Sequence, residues 1–225
     1  MRSDQKSLAD IYSKIITESS GRKVIKGNVY LNGLHLKALP EWLSDVEVGG
    51  IFDCSDNRLT TLQGGPKAVG GGFSCANNKL TTLAGAPETV RGGFSCYDNK
   101  LTTLAGAPKT VGGSFFCYDN NLTTLQGGPK TVGGSFWCHD NKLTTLQGAP
   151  ETVRDSFYCD NNKLTTLQGA PKTVGGNFSC SYNKLTTLQG APKTVRDGFC
   201  CFGNPVNFTE EDVIAVSRVD GYVDV

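Results

Sequence analysis

The sequence predicts a repeat solenoid, and two observations carry that expectation. The pattern FxCxxNxLTTL recurs with a period of 21 residues. Between copies lies a short glycine- and proline-containing stretch such as QGAPKTVGG. Phenylalanine stands at Phe52, Phe73, Phe94, Phe115, Phe136, Phe157, Phe178 and Phe199; cysteine follows two residues later, from Cys54 to Cys201. Asparagine comes three residues after each cysteine, from Asn57 to Asn204. A fixed period near 20 residues marks an architecture in which each unit buries its apolar face only against its neighbours.

In chain order, Leu8, Ile11, Tyr12, Ile15 and Ile16 recur at helical spacing and predict an amphipathic helix over about residues 4–18. Val29, Leu31, Leu34, Leu36, Leu39 and Pro40 read as a degenerate first unit. In a full unit such as GNFSCSYNKLTTLQGAPKTV, residues 176–195, the run Phe178-Ser179-Cys180 alternates apolar, polar, apolar. That is strand periodicity, with Phe178 and Cys180 inward and Ser179 outward. Leu185 and Leu188 fill the next turn. The remainder is too short and too rich in glycine and proline for a helix, so an extended or polyproline-like return is expected. At the far end, Thr209-Glu210-Glu211-Asp212 reads as a helix start with a capping-box-like Asp, followed by Val213, Ile214 and Val216. Each terminal helix is expected to shield an open sheet edge.

Asparagine at one fixed position is expected to pair backbone groups that become buried where the chain turns inward. The phenylalanine row is expected to form a spine of core rings. Eight of nine cysteines share one repeat position, which marks a packing site and not a disulfide framework. Neighbouring cysteines come within bridging range at a strand spacing of about 4.8 Å. Reduced thiols in a cytoplasmic setting are nevertheless the expectation.

The spacing resembles the leucine-rich repeat, LxxLxLxxNxLxxL. Phe takes the fourth position, Cys the sixth, Asn the ninth, and the leucines of LTTL the eleventh and fourteenth. The ladder carries this resemblance from about Val29 to Phe208. The short unit with AP or GP after LTTL is most similar to the bacterial type of the YopM and IpaH effectors. It has one added residue, since four positions separate Val174 from Phe178 where three is usual. Similar cysteine- and glycine-rich repeats occur in proteins encoded by tailed bacteriophages, and the chain looks closest to those. The resemblance implies a right-handed leucine-rich-repeat horseshoe with a concave parallel β-sheet, an extended or polyproline-like convex side and short helical caps at both ends. One domain is expected over 1–225. It comprises a helical cap at 1–26, a degenerate first repeat at 27–50, seven full repeats plus a partial eighth at 51–207, and a helical cap at 208–225.

On such a sheet the outward positions face the concavity. One residue after each Phe the series runs Asp53, Ser74, Ser95, Phe116, Trp137, Tyr158, Ser179, Cys200. Three after, it runs Ser55, Ala76, Tyr97, Tyr118, His139, Asp160, Ser181, Phe202; four after, Asp56, Asn77, Asp98, Asp119, Asp140, Asn161, Tyr182, Gly203. The middle turns therefore present Phe116, Trp137 and Tyr158 beside Tyr97, Tyr118 and His139, edged by Asp98, Asp119, Asp140 and Asp160. Exposed Trp and Tyr clusters are binding anchors. Strand propensity and cross-strand stacking are the competing account. A basic row (Arg58, Lys79, Lys100, Lys142, Lys163, Lys184, interrupted by Asn121) lies alongside. It can track a phosphate backbone, but the Asp-x-Lys spacing favours local solubilising pairs. Glu88 with Arg91 and Glu151 with Arg154 read as further local pairs.

The remaining composition narrows the functions. Net charge is +1, too small for capture of nucleic acid by overall field. No apolar run approaches the length of a membrane span, and the N-terminus lacks the apolar core of a secretory signal. No CxxC pair exists and His35 and His139 are the only histidines, so neither metal nor cofactor is expected. GxSxG, P-loop and HExxH motifs are absent. Cys138 and His139 point to opposite faces, which disfavours Cys-His catalysis. The IpaH relatives carry a ligase domain after their repeats; about 20 residues follow here, so that activity is not expected. The leading expectation is a non-enzymatic module that binds a partner protein on its concave face, in the cytoplasm. If the phage resemblance holds, it modulates a host or defence protein in the host cytoplasm. A nucleic-acid or nucleotide binder using the Lys row and the aromatics is the second reading, and assembly through the caps a third.

Overall fold

The computed structural model describes residues 3–225 as two parallel β-ladders wound into one solenoid. The concave ladder has ten strands of two residues each, from Val29–Tyr30 through Phe52–Asp53 and its repeats to Phe199–Cys200 and Val223–Asp224. Pairing is in register, so that Phe115 faces Phe94 and Phe136. The Phe and Cys rows point inward and are wholly buried. From Phe52 to Phe199 successive rings stand with centroids 5.1–5.8 Å apart. Each ring between the two ends thus meets a neighbour on both sides, and burial of each contributes on the order of 1.5–3 kcal/mol.

The convex side is extended, but it is hydrogen-bonded and not polyproline-like. The Thr-Val pairs lie in a second sheet of eleven strands, parallel except for its first, with Thr110 facing Thr131 and Val111 facing Val132. Val, whose branched side chain suits a strand, goes inward, and Thr goes outward. The in-register neighbour 21 residues on supplies the partner that a lone polyproline segment would lack. Gly106, at φ 90°, makes the turn after LTTL; a Cβ there would stand 2.7 Å from the backbone of Leu83 and Ala84.

The Asn row closes the turns between the ladders. Asn120 Nδ2 donates to the carbonyls of Cys96 (3.0 Å), Cys117 (3.3 Å) and Tyr118 (3.1 Å). Its Oδ1 accepts from the Leu101 amide at 3.0 Å. One side chain therefore ties two adjacent turns, and the pattern recurs at Asn99, Asn141 and Asn162. All nine cysteines are free thiols. Burial pushes the inward ones up, Cys201 to about 12, and several donate to the next strand, as Cys159 Sγ does to Ser179 O.

The termini differ from the sequence expectation. The N-terminal helix α1 spans Ser3–Tyr12 and does not continue to residue 18. Ile16–Thr17 is instead a strand antiparallel to Lys23–Ile25, joined by a turn with Gly21 at φ 80°. The β-branched run Ile15-Ile16-Thr17 prefers that extended state, and its apolar spacing satisfied the helical period only by coincidence. Ile16 is exposed, while Ile11 is buried. At the other end, helix α2 spans Glu210–Ile214 and has the expected capping box: Thr209 accepts from the Asp212 amide, and Asp212 accepts from the Thr209 amide. Beyond it the chain winds on, adding Arg218–Val219 to the convex ladder and Val223–Asp224 to the concave one. The convex sheet therefore begins in a hairpin, and both sheets end in a strand from an extra turn.

Candidate functional site

The concave face carries the candidate residues on consecutive turns, and the register decides their neighbours. Tyr97, Tyr118 and His139 form a continuous stack, with centroids 4.6 Å apart and planes within 9° of parallel. Phe116, Trp137 and Tyr158 form the second row: Phe116 to Trp137 is 6.0 Å and Trp137 to Tyr158 4.3 Å, both tilted by about 40°. Trp137 meets His139 edge-on at 5.7 Å, which joins the rows. Packing on one another leaves all six rings half-buried, so the patch is a pavement of ring edges and partial faces. The aromatic residues expected from sequence are thus brought together.

The carboxylates need a second account. Asp98, Asp119 and Asp140 have φ of 51°, 51° and 52°, as do Asp56, Asn77 and Asn161 within a few degrees. A left-handed position admits Asp and Asn most readily among residues with a side chain. The identity of this row is therefore partly set by the backbone, which the sequence reading had assigned to recognition alone. Tyr182 occupies the same conformation at φ 52°, an outlier for a bulky residue, and meets Phe202 edge-on at 5.1 Å. This smaller pair at the C-terminal end was not recognised as a cluster from sequence; a Tyr in a row otherwise of Asp, Asn and Gly was the signal.

The row three after Phe is outward only where its side chain is large. Ser55, Ala76 and Ser181 are buried, at 8%, 0% and 2% exposure. Short side chains here lie below their taller neighbours. Asp160 is half-buried and its Oδ1 is without a hydrogen-bond partner, as is the adjacent row member Ser181 Oγ. Cys200, half-exposed on this face, has its thiol pushed up by burial, and its Sγ stands 3.9 Å from the Tyr222 hydroxyl.

The charges pair differently from the expectation. Among the described residues no lysine of the basic row lies within 4.0 Å of an Asp of the acidic row. Glu88 pairs with Lys109 (3.7 Å) and Glu151 with Lys172 (3.1 Å), each one turn further on, and not with Arg91 or Arg154. In a parallel ladder the residue 21 positions on is nearer than one three positions along the strand. Asp140 Oδ2 stands 2.6 Å from His139 Nδ1. Partial burial, with Asp140 and Asp98 nearby, pushes the Asp119 carboxyl up against the opposing pull of His139; burial and Tyr97 push the Tyr118 hydroxyl up. No group of three or more His, Cys, Asp or Glu residues among those described is set to hold a metal ion, and no described helix is long and apolar enough to cross a membrane.

These ladders, the Asn row and the inward Phe spine define a leucine-rich-repeat solenoid. Two solved structures share it. YopM from Yersinia enterocolitica WA-314 superimposes with a TM-score of 0.64 at 20% identity, covering 85% of this chain and 40% of that one. YopM of Yersinia pestis, described as a leucine-rich effector protein, gives 0.55 at 16% identity, covering 99% of this chain and 71% of that one. The chain thus spans well under half the length of the first. No protein-family model and no curated protein sequence matches it.

Proposed function

We propose that the chain is a non-enzymatic protein-interaction module that grips a partner protein with the concave patch centred on Trp137. One observation carries this: at positions released from core packing, large aromatics gather on four consecutive turns, whereas Ser74, Ser95 and Ser179 serve at equivalent positions elsewhere. The sheet folds with serine there, so the rings answer a need other than folding. Rigid, half-buried aromatics are apt anchors because they lose little rotamer entropy on binding. The likeness to a protein described as an effector is consistent with binding as the task. The eight inward free thiols favour a reducing, cytoplasmic setting. Following the resemblance to phage-encoded repeats, a host or defence protein is the partner to test first.

The test is affinity capture from host lysate with the wild-type chain, Trp137→Ala and Tyr118→Ala. Loss of a captured protein in both variants, with circular dichroism unchanged, is the expected result. Undiminished capture by both removes the patch from the proposal.

A further inference from the structure

The charges around the aromatic patch indicate what its occupant carries. Each ring of the Tyr97–Tyr118–His139 stack is followed in sequence by one exposed carboxylate: Asp98, Asp119 and Asp140. Asp140 has His139 at 2.6 Å, whereas Asp98 and Asp119 have no cation within 4.0 Å among the described residues. The lysine row that flanks the patch fails at one full turn, where Asn121 follows Asp119 and Asn120. Negative charge is therefore least compensated at the middle of the stack. Carboxylates on successive turns, about 4.8 Å apart, repel one another. Burial, and after it Asp140 and Asp98, push the Asp119 carboxyl up against the pull of His139.

A positive group relieves the repulsion. A polynucleotide would bring more negative charge to these carboxylates. A guanidinium fits better than an ammonium, since it is planar and bonds a carboxylate with a fork of donors. We propose that the concave patch receives an arginine-bearing segment of a partner protein, with a guanidinium forked onto the Asp119 carboxylate at the outer edge of Tyr118, whose two faces Tyr97 and His139 cover. The inference rests on the patch being the partner surface.

Short fluorescein-labelled peptides of alternating glycine and arginine, norleucine or glutamate test it by fluorescence anisotropy. The arginine peptide should bind, weaken as salt rises, and lose about tenfold in affinity with Asp119→Asn or Tyr118→Ala. Asp119→Asn keeps the fold, because Asn77 and Asn161 hold the same left-handed position. If the norleucine peptide binds as well as the arginine one and is released by Trp137→Ala, the cation inference fails while the interaction patch stands. If no peptide responds to Tyr118→Ala or Trp137→Ala, both fail.

Discussion

His139 places its Nδ1 2.6 Å from Asp140 Oδ2 while its ring lies flat on Tyr118, with centroids 4.6 Å apart. The same imidazole meets Trp137 edge-on. It is thus the joint between the two aromatic rows and the acidic edge. His139→Ala should lower stability by about 1–2 kcal/mol, through the lost stack and hydrogen bond. In a Trp42→Phe background, which leaves Trp137 as the only reporter, its fluorescence should shift red. An unshifted spectrum would show that the rows are not joined through this residue.

Asn120 and Asn121 are neighbours in sequence with opposite roles. Asn120 is buried and bonds Cys96, Cys117, Tyr118 and Leu101, whereas Asn121 stands where other turns carry Lys. Asn120→Ala should cost about 2–3 kcal/mol, because several buried backbone groups lose their partner. Asn121→Lys should stay within about 0.5 kcal/mol of wild type. Urea denaturation midpoints of the two variants test the contrast directly.

The left-handed row makes a graded prediction at Asp119. Asparagine there should be close to neutral, whereas Asp119→Val should cost on the order of 1–2 kcal/mol from backbone strain. Equal midpoints for the two variants would contradict the φ of 51°.

The thiols make the fold sensitive to alkali. Folded-state values are raised by burial, as at Cys117 and Cys138. The unfolded thiols ionise above about pH 8.5, so the unfolded state then holds fewer protons than the folded one. Stability should therefore be constant below that pH and fall above it, by up to about 1.4 kcal/mol per pH unit for each buried thiol. Urea midpoints at neutral and alkaline pH, under reductant, should show the fall. A flat profile would mean that the thiols ionise alike in the folded and unfolded chain, contrary to their burial.

The inward rows were legible in the sequence because one residue type recurs at each: Phe52 to Phe199 at the spine, Asn57 to Asn204 at the turn. The aromatic patch was legible by subtraction, since Trp137 and Tyr158 stand where Ser74 and Ser179 also serve. What escaped was set by the backbone or by the adjacent turn. The Asp98–Asp140 row looked like a recognition edge because φ leaves no periodic trace; its alternation with Asn and its end at Gly203 were the available hint. Glu88 looked paired with Arg91 because the sequence does not display that Lys109 stands nearer. Ile15 and Ile16 fitted both a helical period and a strand, and the turn at Gly21 decided between them.

In-register pairing with the residue 21 positions on, from the Phe52 strand to the Phe199 strand, has a metric consequence. Inserting one whole unit between the turns of Tyr158 and Tyr182 leaves each ring cluster intact and moves the Trp137 patch relative to the Tyr182–Phe202 pair by one strand spacing, about 4.8 Å. The chain is a ruler graduated in turns. A partner that touches both clusters reads repeat number as length, while one that touches only the first is indifferent to how many turns follow.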